Sequence, residues 1–495
     1  MDNISSLSYF LPEITLVVTI LVVIVYDLFL KKGESVYTVY VTAAGLVLTL
    51  LTLFSSYSDV QMSLFSGMVA QDPFSFFFKF LFVLAAFFTV VISSTSSEMK
   101  NRLHGEFNTL ILAITLGMFF MASAKNLLMA YIGFELVSIA SYVVAGFLKE
   151  SRRSSEAALK YVIYGGVSSG IMLYGFSLLY GLTGTLDISE IGRLLSEGNA
   201  GGLTVLVAFL MVLAGFGYKI ASVPFHFWSP DVYEGAPTAF TAFLSVGPKA
   251  AGFALLIRFF NTAFVSQGSV ALSEWLPIEQ LDWPNIMMWI SAITMTFGNL
   301  IALKQDNVKR MLAYSSIAHA GYVLMGIVVL TQDGLFAMMF YLSAYYLMNL
   351  GAFFVVLNIS DRFGSEEIDS YNGLVFKAPF IAICMGIFLF SLAGIPPTVG
   401  FIGKFYLFAA LIQSGPGYYS LAIIGALNSV VSLYYYARVL RAMFVRGEAA
   451  EASPPISKTP IIIIGVLAFP ALFLGLYWAP LAGFAQASLK ILTGH

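Results

Sequence analysis

The chain is poor in charged residues and has almost no cysteine. Only 11% of its 495 residues are charged, whereas soluble domains carry roughly 25%, and the mean hydropathy is +0.86. The single cysteine, Cys384, excludes an intrachain disulfide and a cysteine-ligated cluster. It lies in an apolar run, where we expect a small buried apolar residue. The net charge of −2 indicates no nucleic-acid partner. This composition is typical of an integral membrane protein.

Signatures of bound cofactors are also missing. The four histidines include no pair with haem or zinc spacing on one helix face. The sequence contains no GxxxxGK[ST] loop, and Gly215 and Gly217 lie in an apolar helical run, not after a strand as a dinucleotide fingerprint requires. We therefore expect no NAD, flavin, metal cluster or ATP on this chain.

Long apolar stretches are the dominant feature of the sequence. Because a helix needs about 20 apolar residues to cross a bilayer, the sequence predicts an all-α integral membrane protein with about 14 transmembrane helices. The N-terminus lacks the basic region and cleavage site of a signal peptide, so the first stretch is predicted to be a retained span. The expected spans are 10–30, 36–56, 74–95, 107–123, 126–148, 159–183, 203–223, 238–262, 285–303, 310–330, 335–359, 378–411, 419–445 and 459–480.

Two of these spans are predicted to be broken helices. The twelfth is too long for one straight helix and contains Gly394-Ile395-Pro396-Pro397, and the seventh ends in a region that runs from Pro224 to Pro237. Non-helical backbone at membrane depth is tolerated only where it is buried in protein or lines a wet cavity.

The basic residues of the loops predict the orientation. With the N-terminus outside, the inner loops hold sixteen of the 25 lysines and arginines, namely Lys31, Lys32, Lys100, Arg102, Lys149, Arg152, Arg153, Lys304, Lys309, Arg310, Arg362, Lys377, Arg438, Arg441, Arg446 and Lys458. The outer loops and outer span ends hold only Lys79, Lys125, Arg193, Arg258 and Lys490. By the positive-inside rule, both termini are expected on the outer side of a bacterial inner membrane.

An internal repeat is visible. Residues 124–146 align with residues 304–326 at an offset of 180, so that Tyr142 is paired with Tyr322. The two broken spans then correspond, and Lys219 falls near Lys404 at an offset of 185. The copies begin five spans apart, an odd number, so the second copy is inverted in the membrane. Paired interrupted helices in inverted repeats indicate an ion site in secondary transporters.

This repeat suggests a division of the chain into four parts. We expect an N-terminal three-helix segment over 1–106, a first five-helix repeat over 107–262, a second, inverted repeat over 285–446, and a fourteenth helix with a tail over 447–495.

Four ionisable residues stand out in apolar surroundings within the predicted spans. An ionisable group at bilayer depth is costly and is usually functional. Glu135 lies near the middle of the fifth span, Lys219 lies beside the break of the seventh, and Lys249 and Lys404 share its apolar surroundings. A buried carboxylate ionises beside a lysine and stays protonated without one, and burial disfavours the charged form of a lysine, so this set is suited to carrying protons. The alternative is a set of satisfied interhelical hydrogen bonds.

Three further residues have both a functional and a structural interpretation. His319 lies in the tenth span. A histidine side chain ordinarily titrates near neutrality, which suits a relay, although a lone core histidine is the alternative. Lys160, at the start of the sixth span, either serves proton uptake or extends to the inner surface. His226, in the break, either serves uptake or caps a helix. His104 and His495 are expected in a loop and in the tail. Hydroxyl side chains that could hold water are Ser141, Ser168, Ser169 and Thr241.

The longest motifs identify a resemblance. LLMAYIGFELVSIASYVVAGF, YKIASVPFHFWSPDVYEGAPT and GIPPTVGFIGKFYLF are similar to segments of the antiporter-like membrane subunits of the proton-pumping NADH–quinone oxidoreductase, respiratory complex I. The resemblance covers nearly the whole chain. Within that family it favours the subunit N branch, because Lys404 stands where subunit M is expected to have a glutamate. Subunit L is expected to continue into a long lateral helix, whereas this chain stops about fifteen residues after its last span.

The resemblance implies roles for the ionisable residues. Glu135 and Lys219 would form the charge pair of a first half-channel, Lys249 and His319 the central connection, and Lys404 the outer half-channel. Lys160 resembles a family lysine near the inner uptake site.

The resemblance also implies that the chain is one subunit of a translocase and does no redox chemistry itself. NADH, FMN, iron–sulfur clusters and quinone would be bound by partner subunits. Its neighbours would be M-like, K-like and J-like chains, with subunit L further out.

Three other interpretations remain open. A subunit of a multisubunit sodium/proton antiporter shares this fold, a membrane-bound hydrogenase subunit would have a nickel–iron partner, and a passive structural subunit would carry the lysines without using them.

Overall fold

The computed structural model describes residues 3–31, 33–100, 104–198, 201–266, 275–445 and 458–489. Five residues that are expected in loops or in the tail lie outside these ranges, namely Lys32, Arg102, Arg446, Lys490 and His495.

The described chain is almost entirely helical. Its first half contains α1 (Asn3–Tyr9), α2 (Leu11–Phe29), α3 (Thr38–Ser55), α4 (Pro73–Ser93), α5 (His104–Ser123), α6 (Leu127–Ala145), α7 (Arg152–Thr183), α8 (Ile188–Ser196), α9 (Gly202–Ile220), α10 (Trp228–Gly235) and α11 (Thr238–Ala263). Its second half contains α12 (Trp283–Ala302), α13 (Val308–Val328), α14 (Gln332–Phe363), α15 (Leu374–Lys377), α16 (Pro379–Ala393), α17 (Val399–Gln413), α18 (Tyr419–Phe444), α19 (Lys458–Leu476) and α20 (Ala479–Ala487). A short hairpin of β1 (Met62–Leu64) and β2 (Val69–Gln71) precedes α4.

The predicted spans are confirmed. Within the described residues, 13 helices are long and apolar enough to cross a membrane, and two shorter apolar helices, α16 and α17, together make up the predicted twelfth span. The most deeply buried spans are α11, α13 and α14, which form the centre of the bundle.

Both predicted breaks are present and have the same backbone structure. Helix α9 ends at Ala221 and helix α16 at Gly394, and both of these residues adopt the left-handed conformation. In each case the next N–H bonds back to the carbonyl five residues earlier, from Ser222 to Gly217 and from Ile395 to Phe390. This is the Schellman ending of an α-helix.

The inverted repeat is visible in the helix ends. Helices α7 and α14 are both 32 residues long, and each ends at a left-handed glycine, Gly184 or Gly364. Helices α6 and α13 both begin after an asparagine cap, Asn126 or Asn307. In each of these pairs, the two helices begin at opposite ends of the bundle. The helices of the second repeat therefore run in the opposite direction to those of the first.

One detail of the predicted repeat is wrong. The breaks align at an offset of 173, from Ala221 to Gly394 and from Ser222 to Ile395. Lys219 therefore lies just before its break, whereas Lys404 lies in the helix that follows the other break. The two lysines do not occupy equivalent positions, because the shared feature is the backbone ending and not the amine.

His104 also differs from the expectation of a loop. It is the first residue of α5 and is buried.

The two ends of the bundle are distinguished by the charges of their loops. We call the end that carries Lys100, Arg153, Lys309 and Arg310 the basic side, and the end at which α4 begins and α11 ends the opposite side.

Candidate functional site

Three lysines lie inside the bundle at membrane depth. Lys219, Lys249 and Lys404 are each no more than 4% exposed. Each amine donates to hydroxyl or carbonyl oxygens, and within the described residues none of the three forms a direct ion pair. Among the described residues, the three amines therefore share one kind of environment: polar, buried and without a direct ion-pair partner.

Lys219 extends from the last turn of α9 to α6. Its Nζ donates to Ser138 Oγ at 2.6 Å and lies 3.5 Å from the carbonyl oxygen of Phe134. It also lies 4.1 Å from the centre of the Phe134 ring, a distance at which a cation is attracted to an aromatic face.

Glu135 lies on the same helix as these partners but is not in direct contact with Lys219. The carboxylate is half-buried, and its buried Oε1 has no hydrogen-bond partner among the described residues. The ion pair between Glu135 and Lys219 that the resemblance implies is therefore not formed in this structure. Ser138 lies beside the Lys219 amine instead.

Helix α11 connects the first two lysines. The aliphatic stem of Lys219 packs against Gly252, where an added Cβ would lie 2.9 Å from Lys219 Cγ. Gly252 lies three residues after Lys249, and residues three apart share one helix face. A shift of α11 at this point would therefore displace the amines of both Lys219 and Lys249.

Lys249 lies at the centre of α11 and contacts α13. Its Nζ lies 2.5 Å from Ser316 Oγ and 3.0 Å from the Ser316 carbonyl oxygen. The preceding residue, Pro248, is inside the helix and removes one backbone hydrogen bond there.

His319 lies on α13, one turn beyond Ser316, and both of its ring nitrogens have tyrosine partners. Nδ1 lies 2.6 Å from the Tyr341 hydroxyl and Nε2 lies 3.2 Å from the Tyr436 hydroxyl. The Tyr436 hydroxyl is also 2.5 Å from Ser315 Oγ. A neutral imidazole carries one donor and one acceptor, so this chain can pass a proton through His319 by exchanging its tautomers.

Lys404 extends back from α17 to the end of α16. Its Nζ donates to the Ala393 carbonyl oxygen at 2.8 Å and to Ser429 Oγ at 2.9 Å, and it lies 4.7 Å from the centre of the Tyr322 ring. The carbonyl belongs to the C-terminus of a half-helix, where the partial negative charge of the helix favours a cation.

Lys160 has a different environment. It is about one-third exposed and pairs with Asp231 at 2.6 Å and with Glu156 at 2.7 Å. Arg310 also pairs with Asp231, at 2.9 Å, and with Glu234, at 2.6 Å. Lys160 thus belongs to a partly exposed ion network on the basic side.

His226 lies in the broken segment, against α12. The ring is buried and contacts Phe297 edge to face, and Nδ1 has no partner among the described residues. It caps no helix through a side-chain bond in this structure.

The predicted water-holding hydroxyls divide into two groups. Ser141 Oγ is buried without a partner among the described residues, whereas Thr241 donates to the carbonyl oxygen of Tyr233. Ser168 and Ser169 are both buried on α7.

Sequence reasoning did not identify the direct partners of these groups, namely Ser138, Ser315, Ser316, Tyr341, Ser429 and Tyr436. Serine and tyrosine are common throughout the spans, so only the packing of the helices distinguishes these residues.

Two buried ion pairs were also missed. Lys79 pairs with Glu13 at 2.7 Å, both being about 1% exposed, and Arg258 binds Asp72 through both of its terminal nitrogens at 2.9 Å. Lys79 and Arg258 lie toward the opposite-side ends of α4 and α11, and no pattern in the sequence indicates their partners.

Within the described residues, no group of three histidine, cysteine or carboxylate side chains is arranged to hold a metal ion. Paired broken helices with buried amines beside the breaks define an ion-translocating membrane protein.

Comparison with known proteins identifies the family. Residues 124–432 match the family described as NADH:quinone oxidoreductase/Mrp antiporter, transmembrane. The chain is 45% identical to NADH-quinone oxidoreductase subunit N of an Anaeromyxobacter species over 100% of this chain and 98% of the relative. It is 46% identical to NADH-quinone oxidoreductase subunit N 2 of Chloroherpeton thalassium over 98% of this chain and 95% of the relative.

Among solved structures, a chain of Thermus thermophilus respiratory complex I with bound aureothin has a TM-score of 0.79 and 29% identity, covering 96% of this chain and 99% of that one. A chain of the Mrp complex of a Dietzia species has a TM-score of 0.84 at 20% identity, covering 99% and 98%, which shows a shared fold. The chain belongs to the NADH:quinone oxidoreductase/Mrp antiporter transmembrane family.

Proposed function

We propose that this chain is a proton-translocating membrane-arm subunit of an NADH–quinone oxidoreductase. The observation that carries this proposal is the set of three buried lysines, each held by neutral oxygens, in a chain that matches subunit N relatives over its full length. The chain contributes to the translocase as one subunit, and electron transfer takes place on its partners.

The first step takes place at Lys219. When Glu135 is ionised and close, it stabilises the charged amine, and when it is neutral or distant, Lys219 retains only the oxygens of Ser138 and Phe134. Neutral oxygens stabilise a buried ammonium less than a carboxylate does, so the amine then releases its proton.

The later steps use the central polar chain. The proton passes to Lys249, then through the hydroxyls beside it to His319, and finally to Lys404. Support comes from Ser316 at Lys249 and from Tyr436, which contacts both Ser315 and His319. Water would bridge the remaining gaps, because buried polar groups such as the Ser141 hydroxyl need a partner.

Uptake is proposed on the basic side. Lys160 lies in the ion network there, and His226 lies in the nearby break with one free ring nitrogen among the described residues. The basic side would face the cytoplasm of a bacterium, with both termini on the outer side. In this arrangement the segment 1–106 precedes the repeats 107–262 and 285–446, and 447–495 follows them.

The proposed partners are the other subunits of the membrane arm, with M-like, K-like and J-like chains as neighbours and an L-like chain further out. NADH, FMN, iron–sulfur clusters and quinone would reside on subunits other than this one.

A sodium/proton antiporter or a hydrogenase subunit is less well supported. The similarity to the Mrp chain is 20% and concerns the fold, whereas the 45% similarity to a subunit N relative covers both chains almost completely.

Two experiments test this function. Purification of the tagged chain in mild detergent should recover NADH-oxidising and quinone-binding subunits, and recovery of antiporter or nickel–iron subunits instead would refute it. In the assembled complex, Lys219→Ala should abolish the share of proton pumping carried by this subunit, whereas Lys149→Ala, at an exposed position, should not. Normal pumping by an assembled Lys219→Ala complex would remove the relay from the mechanism.

A further inference from the structure

Helix α11 is held at its opposite-side end by a buried ion pair. The guanidinium of Arg258 makes two bonds to the carboxylate of Asp72, and its Nε donates to the carbonyl oxygen of Ala122. Asp72 is also the N-cap of α4, where it accepts from the backbone of Ser75. A buried bidentate pair of this kind fixes both position and orientation.

The basic-side end of α11 is held by a second carboxylate. Thr238 is the first residue of the helix, and both its N–H and its hydroxyl donate to Glu98 at 2.8 Å. The preceding residue, Pro237, makes no side-chain cap. Lys309 of α13 donates to the same threonine hydroxyl at 3.0 Å and pairs with Glu366 at 3.2 Å.

Both carboxylates flank the same helix. Asp72 directly precedes α4 and Glu98 follows it by five residues, and α4 packs along α11 in the antiparallel direction. The N-terminal segment therefore binds both ends of α11, through Asp72 at one end and Glu98 at the other.

Lys249 lies near the midpoint between the two contact points on α11, Thr238 and Arg258. At 1.5 Å per residue it is about 16 Å from Thr238 and about 14 Å from Arg258. Beside it, Pro248 leaves the helix without one backbone bond, and prolines are where helices bend. A helix held at both ends and weakened in the middle bends at its middle.

We propose that α4, through Asp72 and Glu98, is a clamp that fixes both ends of α11, so that motion of this helix is confined to Pro248 and moves Lys249 relative to Ser316. Asp72, Glu98 and Arg258 are thus positioning residues for the relay. This inference rests on the proposed function, and it gives the N-terminal segment a role in pumping.

The test uses Glu98, because its loop position makes a variant less prone to misfold than one at the buried pair. Glu98→Gln keeps the shape of the side chain but removes its negative charge, so the bonds to Thr238 are no longer charge-assisted. In assembled complexes in vesicles, we expect the proton-to-NADH ratio to lose about half or more of what Lys249→Ala removes, since displacement of a reacting group by about 1 Å costs on the order of 10²-fold in other sites. Electron transfer in the presence of an uncoupler should be unchanged.

A control variant and a double variant show whether the loss is specific to the proposed clamp. Glu106→Gln, an exposed carboxylate of the same segment, should have no effect. Glu98→Asp should restore part of the ratio, and in a Lys249→Ala background Glu98→Gln should add nothing. Arg258→Lys, which keeps the charge but loses the bidentate geometry, should reproduce the loss.

The clamp would be overturned if the Glu98→Gln and Arg258→Lys complexes had the same proton-to-NADH ratio as the Glu106→Gln complex. It would also be overturned if Glu98→Gln lowered this ratio further in the Lys249→Ala background. If Lys249→Ala itself pumped normally, the proposed function would fail as well, so the two failures are distinguishable.

Discussion

The amine of Lys219 lies 2.6 Å from the hydroxyl of Ser138, and the carboxylate of Glu135, three residues earlier on the same helix, makes no direct contact with it. The Ser138 hydroxyl accepts from the Lys219 amine and donates its own proton to the carbonyl oxygen of Phe134. The same arrangement recurs at Lys249 with Ser316 and at Lys404 with Ser429. A neutral hydroxyl can accept from the amine in either protonation state, and unlike a carboxylate it adds no counter-charge that would hold the amine in its charged form.

Removal of the Ser138 hydroxyl should therefore impair the relay. Ser138→Ala leaves Lys219 with only the Phe134 carbonyl, and loss of a hydrogen bond to a charged group costs about 1.5–3 kcal/mol. We expect pumping through this subunit to slow by about tenfold or more, at 1.4 kcal/mol per tenfold. Proton uptake by vesicles measures it, with Ser177→Ala, an exposed serine, as the control. Equal rates for the two variants would contradict the role of Ser138.

A methyl group at position 252 should displace Lys219. The Cβ of Gly252→Ala would lie 2.9 Å from Lys219 Cγ and 3.0 Å from Ile220 Cγ2, closer than carbon atoms normally approach. We expect reduced pumping with normal assembly. Gly181→Ala is the matched control, because its Cβ would meet open space. If the two alanine variants pump alike, the contact with α11 does not matter for Lys219.

The Tyr436 hydroxyl should be needed for transfer through His319. Tyr436→Phe removes the partner of His319 Nε2 and of Ser315 while the ring still fills the same space. We expect slower pumping and unchanged assembly, measured as protons translocated per NADH oxidised. Tyr434, on the same helix, is 64% exposed, and Tyr434→Phe should behave as the unmodified protein does. A normal ratio for Tyr436→Phe would show that protons bypass this hydroxyl.

The glycine at the second break should be irreplaceable for two reasons. Gly394 has a φ of +84°, and an added Cβ would lie 2.7 Å from Lys404 Cδ. Gly184 has a similar φ of +69° but open space around it. Both alanine variants bear a backbone cost of roughly 1–2 kcal/mol, so a pumping defect confined to Gly394→Ala would isolate the effect on Lys404. The same defect in both variants would assign it to the backbone alone.

The buried pair of Lys79 and Glu13 predicts a non-additive effect on stability. Lys79→Met leaves an unpaired buried carboxylate and should destabilise the protein by about 3–5 kcal/mol, whereas adding Glu13→Leu should restore most of that loss. Thermal unfolding of the detergent-solubilised protein is the measurement. Additive destabilisation by the two changes would show that the pair is not an interacting unit.

How far the sequence could predict the site is clear from the lysines. Their apolar surroundings predicted burial at Lys219, Lys249 and Lys404, and all three are buried. The same reasoning gave no access to Ser138, Ser316 or Tyr436, because hydroxyl side chains are inexpensive to place throughout a membrane helix and carry no signal of their own.

The sequence by itself determined the number and approximate positions of the spans, the two breaks and the buried amines, since each depends on local hydropathy or on glycine and proline at fixed positions. Only the tertiary structure decided which oxygen each amine meets, that Glu135 is not in contact with Lys219, and that Asp72 and Glu98 hold the two ends of α11. Those contacts include pairs that lie 81, 140 and 186 positions apart, and such pairings are set by how the helices pack against one another, which no local pattern encodes.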